Sequence, residues 1–209
     1  MNIVVTGTSR GLGHYVKQLL VSNKINVIDI NSSTIDLSKP FVADFQNVDG
    51  LIHCAGINIL KSHKSIAKEE FDRVFNVNAY SFLSLCQQIK FNDNSNIVAL
   101  GSLYSFITKE QRLQYTVSKH ALLGMVKTLA LELSPKKIKV NMVSPGFVDT
   151  EMTRKNNSAE RVNELNSMIP LGLTNPQDIA EICLFLVSKN NSITGQNIIV
   201  DGGYSCKSY

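Results

Sequence analysis

A tyrosine and a lysine, Tyr115 and Lys119, stand four residues apart near the middle of the chain. The apolar residues that follow recur at helical spacing, so both side chains are expected on one face of a helix. An ammonium group beside a phenol favours the phenolate, and would bring the pKa of the tyrosine from about 10 towards neutrality. The pair could then exchange a proton with a bound substrate. Considered alone, it is explained more simply by a solvated helix face.

A glycine-rich turn follows the first β-rich run, residues 2–5, and leads into an amphipathic segment. The order strand, glycine turn, helix favours a phosphate-binding site. Glycines let the backbone approach a pyrophosphate, while the free N–H groups of a helix start attract the anion. The spacing is Gly-x-x-x-Gly-x-Gly, and a plain turn is the alternative. The candidate cofactor-binding residues of this turn are Gly7, Ser9, Arg10, Gly11, Leu12 and Gly13.

A second predicted strand, residues 26–30, carries an acidic residue, Asp29, near its end. An acid about twenty residues beyond a glycine turn can accept hydrogen bonds from the ribose of a dinucleotide. A turn-forming role at the end of the strand is the simpler alternative.

The later β-rich runs alternate with helical segments. Strands are predicted at 34–37, 50–53, 96–100, 139–143 and 197–200, with a long helix from Ser65 to about Lys90 and another capped by Asn175. This alternation predicts one α/β domain over residues 1–209, a doubly wound parallel sheet (Rossmann fold) of about seven strands with helices on both faces. Ligands of such sheets bind beyond the carboxyl ends of the strands. The candidate site residues that end or follow these strands are Asp36, Leu37, Cys54, Ala55, Gly56, Ser102, Pro145, Gly146, Val148 and Thr150.

The composition is that of an ordinary globular protein, with 44% hydrophobic and 18% charged residues and a net charge of +4. The basic residues are scattered, so no nucleic-acid partner is expected. With no apolar run of membrane-spanning length and no secretory signal, a cytoplasmic protein with four free cysteines is expected. The histidines lack the spacing of metal ligands, so no metal site is expected. His53, at the end of a buried strand, is expected to be a hydrogen-bonded core residue.

Taken together and in order, these motifs resemble those of the short-chain dehydrogenase/reductase family over nearly the whole chain. The glycine turn resembles the cofactor turn of the family, and the segment 145–154 is similar to 3-oxoacyl reductases within it. The run His53-Cys54-Ala55-Gly56 departs from the usual Asn-Asn-Ala-Gly, and the chain is shorter than most members between the second and fourth strands. Four residues fall where the catalytic tetrad of the family is expected: Asn78, Ser102, Tyr115 and Lys119.

The resemblance implies an NAD(P)-dependent oxidoreductase that transfers a hydride between nicotinamide and a carbonyl or secondary alcohol. Tyr115 is then the general acid or base, and Ser102 binds the reacting oxygen. Lys119 lowers the pKa of the tyrosine and binds the nicotinamide ribose, while Asn78 holds a water. The alternative is a dinucleotide-sensing protein of the same fold that has lost the reaction. The presence of all four residues favours the enzyme.

The choice between NAD and NADP rests on two residues that disagree. Asp29, if it ends its strand, repels a 2′-phosphate and favours NAD. Arg10 stands where family members that use NADP often carry a basic residue, and a gapless alignment puts Asn31 rather than Asp29 at the discriminating position. That alignment would bury a carboxylate inside a strand, which is costly without a partner. NAD is therefore slightly favoured.

The resemblance also implies a homodimer or homotetramer. The helices near residues 71–89 and 113–133 carry more apolar residues than one sheet-facing stripe needs, so they are the expected interface. Residues 150–170 are polar, include Asn156-Asn157-Ser158, and directly follow the nicotinamide-side segment. They are expected to form a lid, with one short mobile helix, over a small carbonyl or alcohol substrate.

Overall fold

The computed structural model describes residues 1–155 and 158–206. Asn156 and Asn157 of the expected lid lie outside the described residues. All four cysteines fall within them and are unpaired. No helix in the described part of the chain is long and apolar enough to cross a membrane.

Within the described residues, six strands form one parallel sheet. The strands are β1 (Asn2–Thr6), β2 (Asn26–Ile30), β3 (Val48–His53), β4 (Phe91–Leu100), β5 (Lys139–Pro145) and β6 (Asn197–Val200). Their order across the sheet is β2-β1-β3-β4-β5-β6, and every neighbouring pair is parallel. All the carboxyl ends therefore lie along one side of the sheet, which we call the carboxyl edge.

The helices connect successive strands. The α-helices are α1 (Gly11–Ser22), α2 (Lys68–Phe75), α3 (Ser81–Gln88), α4 (Leu113–Glu132), α5 (Glu151–Lys155), α6 (Ala159–Met168) and α7 (Pro176–Ser188). Short 3₁₀ turns occur at His63–Ser65, Leu103–Ser105, Ser134–Lys136 and Tyr204–Cys206. The predicted cap of α7 is confirmed, because the Asn175 side chain accepts a hydrogen bond from the Gln177 N–H at 3.0 Å.

Alternate side chains of each central strand enter different hydrophobic clusters. On β1, Val4 packs in a cluster with residues of α3 and α4, whereas Val5 packs in another cluster with residues of α1 and α7. Both side chains are fully buried. The predicted doubly wound sheet with helices on both faces is thus confirmed.

The segment 34–37, which the sequence predicts to be a strand, is a turn, and this accounts for six strands in the described chain rather than about seven. Asn31 organises the turn, because its carbonyl accepts hydrogen bonds from the N–H groups of Thr34 (3.0 Å) and Ile35 (2.9 Å). Leu37 is only 8% exposed and packs on the core without a strand partner. The alternating apolar pattern here reflects a loop that packs on the core.

The long helix predicted between Ser65 and Lys90 is present as α2 and α3, joined by a π-helical turn at Asn76–Tyr80. A π turn inserts one extra residue into the helix and frequently occurs at functional sites. It places Asn78 in the interior, fully buried.

The expected lid region also differs from the prediction, since it contains two helices, α5 and α6, rather than one short helix.

Candidate active site

The turns after β1 and β3 pack directly against each other at the carboxyl edge. A Cβ atom added to Gly7 would lie 2.8 Å from the Ala55 Cα, and one added to Gly13 would lie 2.3 Å from the Gly7 carbonyl oxygen. The Cys54 side chain also takes part in this contact, because its Cβ atom would lie 3.1 Å from a Cβ atom added to Gly13. Only glycine fits at positions 7 and 13, so the two turns are fixed in close contact with each other.

The same glycine turn is open on its other side, at the start of α1. A Cβ atom added to Gly11 would meet nothing within 4 Å. Ser9 and Arg10 are exposed, whereas Leu12 packs towards the core. A closely packed turn that leaves free N–H groups and open space at a helix start fits a pyrophosphate. No group of three or more His, Cys, Asp or Glu residues in the described ranges could hold a metal ion.

Asn78 connects three parts of the site. Its side-chain oxygen accepts a hydrogen bond from the Ile57 N–H (2.8 Å), and its amide donates to the Ile57 carbonyl (2.9 Å) and to the Ser118 hydroxyl (3.0 Å). A Cβ atom on Gly56 would lie 3.6 Å from both the Asn78 oxygen and the Lys119 ammonium nitrogen. The loop after β3, the π turn and α4 are therefore joined at this one side chain.

Tyr115 and Lys119 lie on the first turns of α4, next to the end of β4. The Ser102 hydroxyl is close enough to the Tyr115 phenol to lower its pKa. Lys119 is 3% exposed, and its ammonium donates to the Leu100 carbonyl at 2.7 Å. The ammonium nitrogen is 5.7 Å from the centroid of the Tyr115 ring. The four residues of the predicted tetrad thus come together at the carboxyl edge.

The net shift in the pKa of Tyr115 is upwards, and Lys119 is not among the groups that cause it. Burial raises the pKa of Tyr115, and the hydrogen bond from Ser102 and the charge of Arg112 oppose this only in part. Burial also lowers the pKa of Lys119 to about 8. The ammonium is bonded to a carbonyl instead of the phenol, so depth of burial dominates both groups.

Asp29 is the penultimate residue of β2 and is not its end. Its carboxylate accepts hydrogen bonds from the Lys17 ammonium at 2.7 Å and from the Thr8 hydroxyl. Burial by itself would raise the pKa of Asp29, but the contacts with Lys17 and Thr8 outweigh it, and the pKa is lowered. Asn31 is the first residue beyond the strand and donates weakly to the same carboxylate, at 3.4 Å.

Asp36 and Leu37 were predicted as cofactor contacts at the end of a strand that is not formed. The carboxylate of Asp36 accepts hydrogen bonds from the Ser38 N–H (3.0 Å) and hydroxyl (2.7 Å), so it stabilises the turn. The side chain of Leu37 belongs to the core. A contact of either residue with a dinucleotide stays a prediction.

The segment after β5 closes the other end of the carboxyl edge. Pro145 is the last residue of β5, and a Cβ atom on Gly146 would lie 2.6 Å from the Asp201 Cβ. Val148 is 5% exposed and bridges to a neighbouring segment at residue 174. The Thr150 N–H donates to the Val148 carbonyl at 2.8 Å, immediately before α5.

His53 is fully buried and hydrogen-bonded, as predicted. One ring nitrogen, Nδ1, is 3.0 Å from the Thr6 hydroxyl, which accepts from the Ala55 N–H. The other, Nε2, faces the Ser81 hydroxyl at 3.5 Å. Burial, aided by the charge of the nearby Lys119, lowers the pKa of His53 to about 3. The ring is therefore neutral.

The partners of the neutral ring assign its tautomer. The Ser81 hydroxyl donates its one proton to the Val77 carbonyl at 2.9 Å, so it can only accept from the ring. Nε2 therefore carries the ring proton, and Nδ1 accepts from the Thr6 hydroxyl. A one-directional chain of hydrogen bonds, which we call the His53 chain, thus runs from Ala55 beside the glycine turn to the π turn that carries Asn78.

Sequence reasoning missed several residues that the structure brings to the site. Tyr104 packs edge-to-face on Tyr115 with a centroid distance of 6.0 Å, and the Arg112 guanidinium carbon lies 5.7 Å from the centroid of the Tyr104 ring. Arg112 stands three residues before Tyr115, which was a usable signal. Thr6 and Ser118 were adjacent to predicted site residues, but no spacing rule indicated their partners.

A family profile described as "Enoyl-(Acyl carrier protein) reductase" matches residues 8–205. Together with the fold, this match shows that the chain belongs to the short-chain dehydrogenase/reductase family. It is an NAD(P)-dependent oxidoreductase that acts on CH–OH or C=O groups.

Several relatives have names that state a reaction. The chain is 34% identical to a 3-oxoacyl-[acyl-carrier-protein] reductase of Buchnera aphidicola, with 96% of this chain and 95% of the relative covered. It is 30% identical to an NAD-dependent glycerol dehydrogenase of Listeria innocua, with 98% and 93% covered. The crystal structure of a short chain dehydrogenase family protein from Francisella tularensis superposes with a TM-score of 0.87, at 32% identity and 99% coverage of both chains. The names of the two enzymes from Buchnera aphidicola and Listeria innocua state different substrates.

The buried neutral ring of His53 predicts a specific pH dependence of stability. As the pH falls below about 6.5, the unfolded chain binds a proton at His53 that the folded protein binds only near pH 3. Stability that is present above the unfolded pKa is therefore lost as the pH falls towards 3. Between about pH 6 and 4, the free energy of unfolding should decrease more steeply in the wild type than in His53→Gln, by up to about 1.4 kcal/mol per pH unit.

Urea unfolding at several pH values measures both slopes. The exposed His120 supplies a control, because His120→Gln should keep the wild-type slope. Equal slopes for the wild type and His53→Gln would contradict the assignment of a buried, neutral ring.

Proposed function

We propose that this protein reduces a small carbonyl compound, or oxidises the matching secondary alcohol, with Tyr115 as the general acid or base. The observation that carries the proposal is the position of the Tyr115 phenol, which is influenced by Ser102 and lies beside the buried Lys119, whose ammonium nitrogen is 5.7 Å from the centroid of the ring. A bound NAD(P) supplies or accepts the hydride. The start of α1 with the glycine turn would hold its pyrophosphate, and the segment 145–150 would hold its nicotinamide end.

The protonation state of Tyr115 suits the reduction direction. Because its pKa is raised, the phenol is protonated at neutral pH and can donate to the oxygen on which negative charge develops. The Ser102 hydroxyl would hydrogen-bond to the same oxygen and hold it in place. Ser102 is itself fixed, since its Oγ accepts from the Tyr104 N–H at 3.2 Å and its N–H donates to the Ser105 hydroxyl at 3.2 Å.

Lys119 would return the proton to Tyr115. With a pKa lowered to about 8, Lys119 exchanges protons readily near neutral pH. Its contact with the Leu100 carbonyl holds the ammonium beside the Tyr115 ring. Asn78 is fully bonded to Ile57 and Ser118, so it would act by positioning the loop after β3. We do not favour the sensing-protein alternative, since it gives no reason for this set of contacts.

We also propose NADP as the preferred cofactor, against the preference inferred from the sequence. That inference assumed that Asp29 ends β2, because a buried carboxylate would lack a partner. Asp29 instead lies within the strand and is bonded to Lys17 and Thr8, so its charge is already compensated. The uncharged Asn31 follows the strand, and the exposed Arg10 directly precedes α1. Both are compatible with a 2′-phosphate.

Three further expectations stay predictions. The homodimer or homotetramer is supported by apolar side chains on the outer face of α4, where Leu113, Val117 and Leu131 are 45%, 40% and 77% exposed. Light scattering at micromolar concentration measures the oligomeric state, and a monomer would contradict this expectation.

A lid function for residues 150–170 is supported by their position directly after the nicotinamide-side segment. The cytoplasmic location rests on the sequence.

Replacing Tyr115 by phenylalanine removes the proposed proton donor and keeps the ring. The turnover number should fall by at least about 100-fold, the usual effect of losing a general acid. The affinity for NADPH, measured by fluorescence titration, should change little because the ring still packs against Tyr104. The exposed Tyr80 provides a control, and Tyr80→Phe should turn over at the wild-type rate. A Tyr115→Phe enzyme of nearly wild-type turnover would refute the proposed acid.

Cofactor preference is measured as the ratio of kcat/KM for NADPH to that for NADH. The wild type should favour NADPH, and Arg10→Ala should lower the ratio by about tenfold, the effect of one charge-assisted hydrogen bond. Asp29→Ala serves as the matched comparison and should leave the ratio nearly unchanged. If the wild type favours NADH and Asp29→Ala moves the ratio towards NADPH, then Asp29 is the selecting residue and the proposal is wrong.

A further inference from the structure

Arg112, the residue immediately before α4, carries an unpaired charge. Its Nη1 atom is buried and has no hydrogen-bond partner among the described residues. Two arginines of the expected lid differ from it, because Arg154 is paired with Asp149 at 2.8 Å and Arg161 with Glu164 at 2.6 Å. A guanidinium donates five hydrogen bonds, and a buried donor without a partner is costly. Arg112 is therefore suited to a partner from outside the chain.

The position of Arg112 relates it to the reacting groups. Its guanidinium carbon lies 5.7 Å from the centroid of the Tyr104 ring, which packs edge-to-face on Tyr115. Tyr104 lies in the 3₁₀ turn Leu103–Ser105, which Ser102 caps. The positive charge of Arg112 also acts on Tyr115, where it partly opposes the effect of burial on the pKa. Arg112 and Tyr104 thus lie next to Tyr115, the proposed proton donor.

The backbone around Arg112 is held in an unusual conformation. Gln111 has a φ of +64°, in the left-handed region that non-glycine residues rarely adopt, and its carbonyl accepts from the Lys61 N–H at 3.2 Å. Gln114 is 1% exposed and donates to the Ile59 carbonyl (3.2 Å) and to Glu70 (3.0 Å). These contacts fix the start of α4. Strain of this kind persists where the surroundings impose it, and it is often found at ligand sites.

We propose that Arg112 binds an anionic group of the substrate, a carboxylate or a phosphate, and thereby places the substrate carbonyl against Ser102 and Tyr115. The substrates would then be short oxo acids with their hydroxy acids, or phosphorylated ketones with their alcohols. The inference rests on the proposed function, whose substrate class it specifies. The planar guanidinium matches carboxylate and phosphate oxygens in pairs, while its face stays on the Tyr104 ring.

The discrimination expected from such a site is large. A substrate anion would replace a missing partner, whereas a neutral analogue would leave the guanidinium unpaired. One or two charge-assisted hydrogen bonds correspond to about a 10- to 100-fold difference in kcat/KM. The difference should appear mainly in KM, because the anionic group lies away from the bond that changes.

The kinetic test uses two matched pairs of carbonyl compounds with NADPH and NADH. They are acetoacetate with its methyl ester, and dihydroxyacetone phosphate with dihydroxyacetone. The wild type should favour the anionic member of one pair by at least about tenfold in kcat/KM, and the responding pair distinguishes a carboxylate from a phosphate. Arg112→Gln should bring that ratio close to one by raising KM for the anion. Arg112→Lys should retain an intermediate ratio, and the exposed-arginine control Arg73→Gln should retain the wild-type ratio.

A binding measurement separates this inference from the proposed function. Malonate and inorganic phosphate, which are not reduced, are titrated by calorimetry into the wild type and Arg112→Gln in the presence of NADP, with thermal unfolding to verify that the variant folds. Saturable binding of one anion that is weakened at least about tenfold in the variant supports Arg112, even if no compound is turned over and the proposed function fails. A wild-type ratio near one for both pairs, an unchanged ratio in Arg112→Gln, or equal anion binding by both proteins overturns the inference. Neutral ketones could then still be substrates.

Discussion

The site depends on a single amide side chain, Asn78, which supplies hydrogen-bond partners for backbone groups of another segment. Its oxygen and nitrogen bond to the N–H and carbonyl of Ile57 as a neighbouring strand would. Its second N–H donor reaches Ser118, next to Lys119 on α4. A shorter or apolar side chain would leave buried backbone groups without partners, at a cost of about 1–3 kcal/mol for each. The loop after β3 and the start of α4 therefore keep their relative position only while this amide is in place.

The π turn explains how a helix can carry that amide. A regular helix between α2 and α3 uses all its backbone groups internally, and asparagine has a poor helix propensity. The extra residue of the π turn rotates Asn78 into the interior, where it is fully buried. Sequence reasoning placed Asn78 within the predicted long helix and in the expected tetrad, where it was expected to hold a water. It could not identify the π turn, because periodicity over one turn does not distinguish it from a regular helix.

Parallel topology made most of the site predictable. Once the strands were recognised, the residues after β1, β3, β4 and β5 had to meet at one edge, and they do. The predictions that failed concern features that depend on packing and hydrogen bonds, which sequence spacing does not report. The run 34–37 has the pattern of a strand, but Asn31 bonds to its backbone and turns it onto the core. Asp29 was assigned by an assumed strand end, and its partner Lys17 on α1 is not apparent from spacing. The pKa of Tyr115 depends on burial, which the Tyr-x-x-x-Lys spacing does not report.

The His53 chain has a consequence for how this protein can change over evolutionary time. Every proton in it points the same way, from the Ala55 N–H through Thr6, the ring and the Ser81 hydroxyl to the Val77 carbonyl. A replacement at position 53 must accept from one side and donate to the other, and a replacement of Thr6 removes the donor that Nδ1 needs. Substitutions at these positions are therefore strongly epistatic, since an exchange tolerated at one of them depends on the residue present at the next. Relatives with a different residue at position 53 should carry compensating changes around it, so that the family reaches the same contact between glycine turn and π turn by more than one coordinated set of side chains.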